Sequence, residues 1–140
     1  PTCRRRFDKE GKSVNTHGEY PDAIRWVAQK ENVPLIELNG MTTMLCDALG
    51  VDGSMKLYVH YPAGTFPGQT REFKDNSHFS TYGAYETAKC VVEGMKKAKL
   101  DIANYLRADY KGFNPAQPDK FETFKWNLCP FTEIEKPDGN

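Results

Sequence analysis

Pro21-Asp22-Ala23-Ile24-Arg25-Trp26-Val27-Ala28-Gln29-Lys30-Glu31-Asn32-Val33-Pro34-Leu35-Ile36-Glu37-Leu38 is the stretch on which the fold class turns. Pro21 suits the first helical position, where a missing N–H costs nothing, and Asp22 favours the positive end of a helix. Ala23, Ile24, Val27 and Ala28 recur at helical spacing, so the pattern predicts a helix from about Pro21 to Glu31. Val33 to Leu38 is short, apolar and bounded by Asn32 and Asn39-Gly40, with its proline near the entry, which reads as a buried strand. A helix followed closely by a buried strand is an α/β signature. Such a strand needs neighbours for its backbone N–H and C=O groups. No other convincing core strand is found, so half of a sheet is expected to be missing.

Outward from that stretch, the residues through Tyr20 are rich in Gly, Asn, Ser, Thr and charge without a period, and read as a surface loop. Beyond it, a short helix from about Thr42 or Thr43 to Leu49 is expected, with Met44, Leu45 and Ala48 on one face and Gly50 just past its end. Lys56 to His60 makes a small extended piece. Pro62, Gly64, Pro67 and Gly68 then break the chain, and the region down to His78 reads mostly as loop. Ser80 is a good N-cap for a helix to about Lys97, with Tyr85, Ala88, Val92 and Met95 along one face. Past Asn104 comes a tail in which Pro115, Pro118 and Pro130 alternate with Phe113, Phe121, Phe124, Trp126 and Phe131. It reads as an extended strap closed by a linker-like Lys136-Pro137-Asp138-Gly139-Asn140.

Chemistry concentrates in Asp75-Asn76-Ser77-His78, an acid and a histidine three residues apart at the end of the Gly/Pro-rich loop and just before the capped helix. A carboxylate accepting from the imidazole Nδ1–H fixes the tautomer and leaves Nε2 free to take a proton from a hydroxyl. A nucleophile and an oxyanion hole are the missing parts. Ser13, Ser54, Ser77 and Ser80 are available, but none lies in a G-x-S-x-G elbow. The bland alternative is that Asp75 merely binds turn amides.

The block Asp75-Asn76-Ser77-His78-Phe79-Ser80-Thr81-Tyr82-Gly83-Ala84 resembles the D-x-x-H-[FL]-[ST]-x-x-G-[AH] block that closes the SGNH/GDSL hydrolases. Cys3-Arg4-Arg5-Arg6-Phe7, His17-Gly18-Glu19-Tyr20-Pro21, Pro34-Leu35-Ile36-Glu37-Leu38 and Ala88-Lys89-Cys90-Val91-Val92-Glu93-Gly94 are similar, in order, to the rhamnogalacturonan acetylesterase branch of that superfamily. The resemblance covers roughly residues 1–106, leaving 107–140 as the aromatic, proline-rich tail and linker. It implies a three-layer α/β/α domain around a flavodoxin-like, five-stranded parallel sheet, and deacetylation of a pectic polysaccharide or another acyl ester with no cofactor. Asp75 and His78 carry over as catalytic residues. The family's Gly-Asp-Ser block, and its oxyanion-hole glycine and G-x-N-D asparagine, belong to segments that precede the matched region. The expectation is therefore the C-terminal half of a domain whose N-terminal half, joined or separate, is its partner, and a chain inactive by itself.

The 140 residues carry 19 basic and 19 acidic side chains and are 39% hydrophobic, a balance that gives no support to capture of nucleic acid or anionic membrane. No run approaches the ~20 apolar residues of a membrane span. The basic start has no apolar stretch after it and does not read as a secretory signal; secretion or a periplasmic location is expected from the substrate class alone. Cys3, Cys46, Cys90 and Cys129 form no C-x-x-C pair, and one or two disulfides are open. His17 and His60 lack metal-site spacing. Arg4, Arg5 and Arg6 either fork onto uronate carboxylates or make a solvated loop. The tail aromatics either stack on sugars or, as favoured here, pin the tail to the body. The rival function is a non-catalytic carbohydrate-binding module in which Asp75 and His78 are structural.

Overall fold

A computed structural model describes residues 1–126 as three helices and one β-hairpin, a mixed architecture compatible with an α/β fragment. Helix α1 spans Tyr20–Lys30, α2 Leu38–Gly53 and α3 Thr81–Lys97; β1 is Tyr58–Tyr61 and β2 Phe73–Phe79. The two strands pair antiparallel. Among the described residues no parallel sheet forms.

The core lies where α2, the short 3-10 turn at Ser54–Leu57, β1 and α3 meet. It is made of Cys3, Leu45, Cys46, Leu57, Tyr58, Tyr82 and Cys90, with Phe7, Leu38, Met41, Leu49, Phe79, Phe113 and Phe124 packed around them. Two glycines set how closely α3 approaches its neighbours. A Cβ on Gly83 would stand 1.8 Å from the Leu57 carbonyl oxygen, and one on Gly94 would stand 2.3 Å from Ile36 Cγ2. Only a residue without a side chain fits either contact.

Helix α3 begins as the sequence predicts, with the Ser80 hydroxyl accepting from the Gly83 N–H at 3.1 Å. Its buried face differs. Tyr82, Gly83, Glu86, Thr87, Cys90 and Gly94 point inward, while Tyr85 and Ala88 of the expected stripe are exposed. The reason is the glycine contacts: the side that approaches most closely wins over the side with the larger apolar groups. Helix α2 begins earlier than expected, at Leu38, and breaks where the sequence predicts, at Gly50, whose φ of 69° and ψ of −174° only glycine adopts without strain, before a further turn to Gly53. Its buried residues are Thr42, Leu45 and Cys46, whereas Met44 and Ala48 face solvent.

The buried strand expected at Val33–Leu38 is not formed. Residues 33–37 have no regular structure, Val33 is 58% exposed, and Leu38 is already helical. Among the described residues no neighbouring strand takes up the backbone groups, so a different local solution prevails. The Glu37 carboxylate caps α2 through Gly40 N–H, and it receives Arg25 of α1 at 2.6 and 2.9 Å. The predicted stripe of α1 is likewise uncovered: Pro21 is its one buried residue, and Ile24 and Val27 are 42% and 49% exposed.

The tail returns along α3. Phe121 and Phe124 set their rings edge-on to Tyr82 at 5.3 and 5.5 Å, and the Tyr82 hydroxyl donates to the Asp119 carbonyl. Lys89 pairs with the buried Glu86 at 2.7 Å and with Asp119 at 2.8 Å, and its ammonium lies over the Tyr85 and Phe113 rings. Aromatic pinning of the tail to the body is thus the arrangement seen through Trp126. Cys129, Pro130, Phe131 and the linker-like end at 136–140 lie outside the described residues.

Candidate active site

The expected loop before the capped helix is strand β2, and the informative four residues are a bulge within it. Tyr58 pairs with Phe79 and His60 with Lys74, so Val59 alone faces Asp75, Asn76, Ser77 and His78. The extra residues fold onto the Asp75 side chain. Its Oδ1 accepts from Ser77 N–H at 2.6 Å and from His78 N–H at 2.9 Å, and its Oδ2 meets His78 Nδ1 at 2.6 Å. The turn amides and the imidazole are therefore bound by different oxygens of one carboxylate. The His78 and Ser77 donors hold the Asp75 carboxyl down at about 2, the His78 backbone N–H first among them. The acid is ionised at neutral pH and orients the ring through Nδ1.

The imidazole itself is open. The His78 side chain is 82% exposed and that of Asp75 is 37% exposed, and among the described residues nothing bonds to His78 Nε2. A base with one nitrogen fixed by a carboxylate and the other facing solvent can accept a proton from an incoming hydroxyl.

Three of the four candidate serine hydroxyls are already engaged, whereas that of Ser13 is buried without a hydrogen-bond partner among the described residues. Ser54 is buried and accepts from Arg5 Nε at 3.0 Å; Ser80 caps α3 and donates to the Lys56 carbonyl. Ser77 accepts from Arg4 Nε at 2.9 Å, and Ser13 sits in an isolated bridge opposite Phe7. His17 binds the Thr2 carbonyl and His60 the Asn76 side-chain oxygen, each at 2.9 Å. Among the described residues no three His, Cys, Asp or Glu side chains gather as metal ligands. Cys3, Cys46 and Cys90 are free thiols, with Cys3 Sγ 3.3 Å from Cys46 Sγ and both beside the Tyr58 hydroxyl.

Sequence reading singled out Arg4 and Arg5 but missed that they hold the bulge. Arg5 N–H donates to the Asn76 carbonyl at 2.8 Å, its guanidinium donates to Asn76 Oδ1, and Arg4 reaches Ser77. These partners are some seventy positions apart, and no local pattern announces them. Their one signal was that the arginine run and the Asp-His block fall in the same family pattern.

By sequence the chain is related to a rhamnogalacturonan acetylesterase. It is 40% identical over 103 residues to rhamnogalacturonan acetylesterase RhgT of Bacillus subtilis (strain 168). That match takes in 74% of this chain and 44% of the relative, so the chain spans less than half the length of the curated protein it matches. No family model matches the chain, and no solved structure matches it significantly.

Proposed function

We propose that this chain supplies the acid–base half of a serine esterase that removes acetyl groups from a pectic polysaccharide such as rhamnogalacturonan. The observation that carries the reading is the 2.6 Å contact of His78 Nδ1 with Asp75, which leaves Nε2 open to solvent. His78 takes the proton of the attacking serine as its Oγ adds to the acetyl carbonyl. The same proton then passes to the sugar oxygen as its bond to the acetyl carbon breaks, freeing the sugar hydroxyl. In the second step His78 deprotonates water, which attacks the acetyl-serine, and returns that proton to the serine Oγ as acetate is released, while Asp75 stabilises the imidazolium each time it forms. Asp75 and His78 are the catalytic residues that this chain contributes.

The serine and the oxyanion donors come from a complementary segment, in the same polypeptide or a separate one. Its docking completes a three-layer α/β/α domain with a parallel sheet. The unburied stripe of α1 and the exposed Val33–Leu35 segment, outside any strand, support that assembly, since both read in sequence as buried. On this reading residues 33–37 become a sheet strand once a neighbour is present. The substrate class places the assembled protein outside the cytoplasm.

Hydrolysis of p-nitrophenyl acetate tests the proposal, with the chain alone and with the chain joined to the segment that supplies the serine, each beside a His78→Ala variant. Turnover is expected in the joined protein alone and is expected to vanish with His78→Ala. A joined protein that is inert, or indifferent to His78, sinks the esterase reading in favour of a binding module.

A further inference from the structure

Beside the Asp75–His78 bulge runs an open groove of about 550 Å³ lined by Arg4, Arg5, Arg6, Asn15, Thr16 and Asn76, a size usual for small-molecule sites. Three guanidinium groups face one groove whose lining includes no acidic side chain, and none of the three is ion-paired among the described residues. Every side-chain partner that they do have is neutral. Arg5 is committed to Ser54 Oγ, the Val51 carbonyl and Asn76 Oδ1, which fixes it as part of the wall. Arg4 uses only Nε, on Ser77, so its two terminal nitrogens remain without a bond, and the exposed Arg6 side chain makes none among the described residues. Thr16 adds a buried hydroxyl oxygen without a partner.

Neighbouring cations repel, and an uncompensated trio is a favourable place for an anion. Planar forks with free N–H pairs match the two oxygens of a carboxylate better than they match a diffuse charge. The groove also touches the reacting end of the molecule, because Asn76 lines it and Ser77 holds Arg4, and these two residues lie between Asp75 and His78.

We propose that this groove is a uronate subsite: Arg4 and Arg6 grip the carboxylate of an acidic sugar, with Arg5 and Asn76 as the fixed wall. The inference rests on the polysaccharide reading above and names the side chains that hold the acidic sugar of that polysaccharide. It implies that the acetylated sugar presented to His78 has a carboxylate-bearing residue beside it. Arg4 and Arg6 then set position along the chain and take no part in proton transfer.

The test is direct binding, which does not depend on turnover. Trigalacturonate is titrated into the full 140-residue chain by calorimetry and by amide chemical-shift mapping, beside its neutral methyl ester. The acid form is expected to bind, with shifts at residues 4–6, 16 and 76, and the ester to bind at least tenfold more weakly. Arg6→Ala is expected to weaken the acid form by about tenfold or more, and Arg4→Lys, which keeps the charge and loses the fork, by a similar factor. Arg6 holds nothing in the fold through its side chain, so its variant reports on binding and not on folding. His78→Ala is expected to leave binding intact. Equal binding of acid and ester, or indifference to both arginine changes, overturns the subsite. Binding retained in a protein whose joined form lacks esterase activity overturns the catalytic reading alone.

Discussion

Replacing Gly83 with alanine sets two effects of opposite sign against each other. Helix propensity favours alanine over glycine by roughly 1 kcal/mol. Packing opposes it, because the new Cβ would lie 1.8 Å from Leu57 O, 2.6 Å from Leu57 C and 2.9 Å from Leu57 Cα, all of them backbone atoms that no rotamer change can move. Ordinary contacts are near ~3.5 Å, so α3 and the turn before β1 have to part by roughly 1.5 Å. Overpacking of this kind costs about 2 kcal/mol. The separation also pulls on Ser80, whose N–H bonds Leu57 O at 2.9 Å and whose hydroxyl bonds Lys56 O at 2.6 Å, at about 1 kcal/mol for each bond lost. Setting the propensity gain against these losses leaves a net destabilisation of about 3 kcal/mol. Urea unfolding followed by far-ultraviolet circular dichroism measures it. Gly53→Ala is the control: its φ is −64° and its nearest contact is Leu49 Cβ at 3.4 Å, so it is expected to be neutral or stabilising by up to about 1 kcal/mol. If Gly83→Ala were also neutral or stabilising, the packing argument for the start of α3 would be refuted.

Two further outcomes follow from the charged groups. Lys89→Met leaves Glu86 buried without its cation and is expected to destabilise the fold by about 3–5 kcal/mol in the same unfolding assay. Burial already pushes the Glu86 carboxyl up, and an acid raised in the folded state gives stability that is present below its unfolded pKa and lost as pH rises through the folded one. The penalty of Lys89→Met should therefore grow from pH 4 to pH 8, and a flat profile would contradict it. Asp75 has the opposite sign. Its carboxyl is held down at about 2, so the contacts that close the bulge persist above its ordinary pKa and weaken only as pH falls through about 2. A side-chain carboxyl titration by carbon NMR that found Asp75 with an ordinary midpoint near ~4 would remove the closed bulge from solution.

The parts of this molecule legible in the sequence are those in which cause and effect lie within a few residues. Pro21 and Asp22 announce α1, Ser80 announces α3, and an acid three residues before a histidine can close on it whatever the rest of the chain does. What escaped depends on distant partners. Whether Val33–Leu38 is a strand is decided by a neighbour and not by its own apolar run, and in its absence Glu37 turns to Arg25 and to the helix ahead. The inward face of α3 is chosen by Gly83 and Gly94, whose importance appears only when Leu57 and Ile36 are seen against them. Strand β2 looked like loop because Asp75 to His78 break the alternation, and the bulge that absorbs them is visible only from the register with β1.

The bulge has a consequence for assembly. Its acid and base are joined by bonds spanning at most three positions, and it is tied down from behind by Arg4 and Arg5, which also belong to this chain. Ordering of the pair is therefore complete before any second segment arrives. On the proposed esterase reading, an incoming serine meets an acceptor already oriented within this chain, so the free energy of docking would not be drawn down by arranging the groups it docks against.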